Sequence, residues 1–293
     1  MLTRQKIVLA LLSGAAKPVT PMVFVKLVFL LRNESVLKDT PSFYDFVPYK
    51  YGPFSFTLYR EIANLRRDGY IASGEESVSL REDAADLARG RARELPAVII
   101  QEVGRVLCTH GNKSQDTLLN EVYARYPWYA AKSELADLRP SPPVQTDKAT
   151  PAVYTAGYEG ESVDSFFNRL LARRIELIID VRANPISRRY GFSKGQLREI
   201  GARLGLRYHH LPSLGIPSEF RTDLTGFAAY QSLLERYERE LLPHLGTEVQ
   251  ALGRMMQGSP AVLVCLERDV RCCHRSRLAL AVSRVTGLEV NHL

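Results

Sequence analysis

Residues 263–282 read LVCLERDVRCCHRSRLALAV and bring a carboxylate (Glu267), two adjacent thiols (Cys272, Cys273), an imidazole (His274) and a guanidinium (Arg275) into one short stretch. Side chains of these types transfer protons, attack as a thiolate or hold an anion. The preceding apolar run Ala261–Leu266 follows Gly258 and Pro260 and predicts a strand buried on both faces. Leu278, Ala281, Val282 and Val285 then repeat at helical spacing. The polar cluster is thus expected at a strand-to-helix turn, at the carboxyl end of a sheet, where open α/β folds bind ligands. At a helix start, Cys273, His274 and Arg275 meet backbone N–H groups that favour an anion. Adjacent Cys272 and Cys273 do not easily share one tetrahedral ion, and their spacing fits no usual zinc pattern, so no metal is expected. Cys265 and Cys272 read as packing residues, and Cys273 as either a nucleophile or packing.

Two further segments supply partners. AVYTAGYEGESVDSFFNRLLARR reads as a strand, a turn over Gly157, Tyr158, Glu159 and Gly160, and a helix burying Val163, Phe166, Phe167, Leu170 and Leu171. It lacks the lysine of a P-loop and the spacing of a dinucleotide fingerprint, so no ATP, NAD or other cofactor is expected. IELIIDVRANPISRRYGFSKGQLREIGARLG begins with a buried strand from which Asp180 and Arg182 alternate onto one side, followed by a loop carrying Pro185, Ser187, Arg188 and Arg189. Arg182 and Arg275 are candidates for a phosphate clamp, and Glu267 with Asp180 for a facing pair of carboxylates. An internal Asp180–Arg182 or Asp180–Arg188 ion pair is the alternative. His209 and His210, at the end of another strand, suit structural hydrogen bonds.

The elements that position these residues fall into two parts. LRPSPPVQTDKATPAV, residues 138–153, has linker chemistry. The expected domains are 1–137, mainly helical, and 152–293, an α/β domain with a mostly parallel sheet, joined by a proline-rich linker over 138–151. In the first, helices are predicted at 4–13, from Pro21 with Thr20 as cap, and at Phe56–Asp68 closed by Gly69. YIAS and SVSLR follow as a hairpin. Helix, helix, helix, hairpin is the order of a winged helix-turn-helix, in which Lys50, Arg60, Arg66 and Arg67 would lie against DNA phosphates.

The net charge of +7 divides as +3 through Lys148 and +4 beyond it, so neither half is a basic tail, and the pI near 9.2 leans slightly toward a polyanionic partner. Four cysteines do not make a secreted disulfide framework, and no apolar stretch is long enough to span a membrane. A cytoplasmic protein with no membrane partner is expected.

PYKYGPF and LYREIANLRRDGYI resemble the winged-helix domains attached to bacterial antitoxin and defence proteins, and LLNEVYARYPWYAAKSEL resembles the helical extension such domains carry. YTAGYEG, IIDVRANPISRRYGFSKGQL, LRYHHLPSLG and LVCLERDVRCCHRSRLALAV resemble, in order and over residues 153–293, the signature segments of domain of unknown function family 488. That resemblance implies a Rossmann-like domain with a shared site built from Tyr158, Asp180, Arg182, Ser187, Arg188, Glu267, Cys273, His274 and Arg275.

The combined reading is a nucleic-acid-acting enzyme, foremost a metal-independent DNA glycosylase excising a modified or damaged base, in a setting of defence against phage DNA. Asp180 and Glu267 would act as the carboxylates and Tyr158 would stack on the base, while Gly157, Glu159, Arg182, Ser187, Arg188, Cys273, His274 and Arg275 would bind substrate or phosphate. A ligand-sensing winged-helix regulator is the alternative, and a nuclease the next. Double-stranded DNA is the expected partner, with dimerisation left open.

Overall fold

The computed structural model describes residues 1–135, 150–221 and 224–293. The chain divides into two compact units, Met1–Gln145 and Thr146–Leu293. All of the expected linker except Thr150 and Pro151 lies outside the described residues.

The first unit is mainly helical. Helix α1 (Thr3–Gly14) is followed by α2 (Pro21–Glu34), where the Thr20 hydroxyl accepts from the Val23 amide at 3.3 Å and Pro21 occupies the first turn. Strands β1 (Val47–Tyr49) and β2 (Gly52–Phe54) form an antiparallel hairpin in a stretch where no strand was expected. Its tight turn ends on Gly52 at φ +86°, with Tyr123 so close that any Cβ there would collide with the ring. Helix α3 (Phe56–Arg67) is capped by Ser55 and released at Gly69, φ +82°. The hairpin expected after it is reduced to isolated bridges, Ile71 to Leu80 and Val78 to Val19, because the alternating runs are too short to extend a ladder. Helices α4 (Ala85–Arg93), α5 (Ala97–His110), α6 (Gln115–Arg125) and α7 (Pro127–Ala130) complete the unit.

The second unit is built on five parallel strands: β3 (Val153–Gly157), β4 (Leu177–Asp180), β5 (Arg207–His210), β6 (Ala261–Cys265) and β7 (Val290–His292). They lie in the order β5-β4-β6-β3-β7. Between them run α8 (Val163–Ala172), α9 (Lys194–Arg203), α10 (Gly226–Arg236), α11 (Gly246–Gly258) and α12 (Arg275–Thr286). The three inner strands β3, β4 and β6 are buried on both faces, as their largely apolar runs require. Leu177, Ile179, Val181 and Leu263 pack with Leu252, Leu278 and Val282 of α11 and α12. After β4 the chain moves outward to β5, returns to β6 and leaves on the other side for β7. The chain thus reverses between β4 and β6, and their carboxyl ends border the crevice that open α/β sheets use for ligands. Among the described residues, no helix is long and apolar enough to cross a membrane.

One buried cation marks the first unit. Lys26 is 3% exposed on α2, donates to the Pro53 carbonyl at 3.0 Å, and burial pulls its pKa down to about 7. Between that value and the 10.5 of an unperturbed lysine, the unfolded chain holds more protons than the folded one. Stability of this unit should therefore rise with pH across that window, with the full penalty present below about 7. Replacing Lys26 by Met should remove a slope on the order of 1 kcal/mol per pH unit. Denaturant unfolding of both proteins at several pH values checks this: the advantage of Lys26→Met should shrink as pH rises, and a constant advantage would refute it.

Candidate functional site

The end of β6 carries Cys265 and, two residues on, Glu267, so strand alternation sends both toward α12. The Cys265 thiol lies 3.2 Å from Glu267 Oε2 and 3.7 Å from His274 Nδ1. His274 Nε2 lies 3.1 Å from the Val181 carbonyl at the end of β4, and its ring stands edge-on to Tyr237 at 5.5 Å. Cys273 completes the group: ligand atoms of Cys265, Cys273 and His274 all lie within 4.8 Å of one another, and each residue is 1% exposed. Glu267 Oε1 accepts from Arg221 at 3.2 Å.

These groups set one another's charge. A hydrogen bond from Cys273, with His274 facing it, holds the Cys265 thiol well below its ordinary range despite burial. Burial pushes Cys273 well above it, with Cys265 adding to the shift. Burial pulls the His274 imidazole down, but Cys265 more than reverses this. Burial, then Cys265, raises the Glu267 carboxyl. The arrangement sets the Cys265 thiol against the His274 imidazole, with the Glu267 carboxyl and a second thiol alongside, so that the charge of each depends on the others.

Backbone contacts fix Glu267 from two sides. The Tyr158 and Glu159 amides donate to the Leu266 carbonyl at 3.1 and 2.9 Å, and Glu159 Oε2 accepts from the Arg268 amide at 3.1 Å. Arg275, 2% exposed, donates to the Glu267 carbonyl and, at 3.2 Å, to that of Arg268. A Cβ on Gly157 would stand 1.9 Å from the Glu267 carbonyl oxygen, so this approach requires glycine.

A second polar centre sits at the end of β4. Asp180 is fully buried and accepts from Arg182 Nε at 2.8 Å, Arg182 Nη2 at 2.6 Å, the Arg182 amide at 3.2 Å and the Tyr208 hydroxyl at 2.7 Å. Arg182 Nη1 donates to the Tyr158 hydroxyl at 2.7 Å and to the Phe192 carbonyl at 2.9 Å. Burial lowers the Arg182 pKa, but the bond to Asp180 outweighs it and the net shift is upward. Burial and Asp180 raise the Tyr208 phenol. Tyr158 is 2% exposed, with its ring stacked on Phe192 at 4.2 Å.

Several expectations change accordingly. The pairing of Ile179 with Leu263 and of Asp180 with Val264 puts Asp180 on the sheet face opposite Cys265, because paired residues of a parallel ladder share a face. Asp180 and Glu267 are not a facing pair. Asp180 instead forms the internal ion pair with Arg182 that was the alternative reading, and its lone pairs are already engaged. Arg182 spends its donors on protein groups, and Arg275 turns Nη1 and Nη2 onto the Glu267 and Arg268 carbonyls while its Nε is buried without a partner among the described residues, so the two do not converge as a phosphate clamp. The Tyr158 ring has no free face for a base. Ser187 is half-buried and its hydroxyl accepts from the Arg189 amide at 3.1 Å, while Arg188 is exposed on the same loop. His210 takes the structural role expected of it, between the Arg182 carbonyl at 2.9 Å and Lys194 at 3.1 Å.

Reading the sequence missed Cys265, Arg221, Tyr208 and Phe192. Cys265 had a usable signal in its two-residue offset from Glu267 on one strand. Arg221 had none, being 46 residues away from Glu267.

In the first unit, Arg60, Arg66 and Arg67 all ride on α3, Arg60 and Arg67 exposed and Arg66 half-buried. Lys50 sits in the β1–β2 turn and pairs with Glu134 at 2.9 Å.

Residues 162–282 match the family described as Domain of unknown function DUF488. The matched stretch holds Asp180, Arg182, Arg221, Cys265, Glu267, Cys273, His274 and Arg275, and stops short of Gly157, Tyr158 and Glu159. No curated protein and no solved structure matches the chain.

Two substitutions test the bracing. Asp180→Asn breaks a buried ion pair and should destabilise the second unit by about 3–5 kcal/mol, seen as a lower denaturant midpoint. Gly157→Ala forces β3 and the Glu267 carbonyl apart, and should cost about 1–3 kcal/mol or more by the same measurement. A midpoint unchanged by either would contradict the packing described.

Proposed function

We propose that the chain is a nucleic-acid-acting hydrolase whose C-terminal unit cleaves N-glycosidic bonds, releasing a modified or damaged base from DNA, in a setting of defence against foreign DNA. The observation that carries this reading is Glu267, a carboxylate held at the switch point of the sheet by Arg221 on one oxygen and Cys265 on the other. Loss of a base leaves positive charge on the sugar, and a fixed carboxylate stabilises that charge and orients the attacking water. Arg188, exposed on the loop after β4, supplies positive charge for flanking phosphates.

DNA recognition belongs to the first unit in this proposal. Arg60, Arg66 and Arg67 lie on one helix, the third of the unit, and a bound duplex would meet them and Lys50 through its phosphates. Tyr158 and Asp180 act here by holding Arg182 and the loops around it.

A ligand-sensing regulator is favoured by a separate observation. With Asp180 spent on Arg182, the site offers one carboxylate in place of two, which suits binding without turnover better than the sequence alone implied. The paired carboxylates that a metal-dependent nuclease would use are on opposite sheet faces, so that reading loses its support.

Incubating the purified full chain with duplexes carrying normal and modified bases, followed by alkaline cleavage and mass analysis, separates the readings. Free base should appear, and Glu267→Gln should lower its rate by about 100-fold or more while duplex binding persists. Tight binding without base release would favour the regulator.

A further inference from the structure

We infer that Cys265, Cys273 and His274 together bind one zinc ion, with Glu267 beside its open fourth position. The site goes beyond the proposed activity and does not depend on it.

Three borderline-soft donors converge in one place: ligand atoms from the end of β6 and from the residues leading into α12 lie within 4.8 Å of one another. Sulfur and nitrogen ligands about 2.3 and 2.0 Å from a tetrahedral zinc stand about 3.5 Å apart. Cys265 Sγ and His274 Nδ1 are already 3.7 Å apart. Little movement is needed to admit the ion.

The imidazole is also oriented as a ligand. The Val181 carbonyl can only accept, so Nε2 carries a proton, and in the neutral ring Nδ1 presents its lone pair to the thiols. A ligating histidine whose other nitrogen donates to a backbone carbonyl is the usual outer-shell arrangement around zinc. Two thiolates and a neutral imidazole carry charge −2, which a divalent zinc cancels in a place where each donor is 1% exposed. Sulfur donors disfavour magnesium and calcium.

Glu267 stands beside this group without completing it. Arg221 holds its Oε1, and its Oε2 lies 3.2 Å from Cys265 Sγ, close enough to adjoin a fourth ligand. Three protein ligands plus an open position next to a carboxylate is the pattern of a zinc that binds water. The expectation of no metal rested on Cys272 and Cys273. The thiol that joins Cys273 is Cys265, while Cys272 is left out of the cluster.

The test is metal content of the full chain, purified under reducing conditions from zinc-supplemented medium, followed by cobalt loading of the chelated protein. One zinc per chain and an intense thiolate-to-cobalt charge-transfer band are expected. Cys265→Ser, Cys273→Ser and His274→Ala should each weaken binding by about 100-fold or more, since even outer-shell changes cost 10–100-fold. Cys272→Ser, Cys108→Ser and Glu267→Gln should leave both readouts unchanged. A wild-type chain that takes up neither zinc nor cobalt overturns the site, as does a Cys265–Cys273 disulfide under these conditions. Loss of the ion in Glu267→Gln overturns the open fourth position. Because the cobalt band is read on the wild-type chain, a variant that fails to fold does not decide the matter. A chain that binds zinc yet releases no base would leave this site standing and remove the glycosylase.

Discussion

In a parallel ladder, paired residues share a face, and the pairing of Ile179 with Leu263 commits Val181 and Cys265 to one side of the sheet and Asp180 to the other. From this parity come two polar centres, back to back at the carboxyl ends of adjacent strands. One is the Asp180–Arg182–Tyr208–Tyr158 network, facing α8 and α9. The other is the Cys265–Glu267–Cys273–His274 cluster, facing α12. The Val181 carbonyl links them, meeting His274 from across the strand end.

The two centres use burial differently. Around Asp180 every charge has a close partner: both carboxylate oxygens are hydrogen-bonded, and the guanidinium is divided among a carboxylate, a phenol and a carbonyl. Such a network locks the loop after β4, at a desolvation cost that the ion pair and its hydrogen bonds must offset. Around Cys265 the groups are chemically labile, with thiols and an imidazole whose charges depend on one another. One face thus holds a closed ion-pair network and the other a cluster of titratable groups.

Much of this was legible in the sequence. Caps and stops such as Thr20, Pro21 and Gly69 act within a few residues, so the helices they bound could be read directly. The strand at Ala261–Cys265 and the helix at Arg275 were evident from a change of apolar period, and Glu267, Cys273 and His274 therefore stood out. What could not be read was which face each residue took. Strand order and register are set by contacts distant in sequence, so the opposition of Asp180 and Glu267, the arrival of Arg221 and the closure of Tyr158 by Phe192 left no local trace. The β1–β2 hairpin was hidden for a related reason, since its aromatic residues serve equally well in a helix-packed core.

The close approach of Gly157 to the Glu267 carbonyl gives the site an uneven tolerance to evolutionary change. Glu267 is tied to β3 by that contact and to α12 by Arg275, while α12 is seated independently through Leu278, Ala279 and Val282. The intervening segment Asp269–Cys272 carries neither tie and is partly exposed. Its composition can change without loosening either tie to the carboxylate, so the site tolerates substitution in this connection far better than at Gly157 or Arg275.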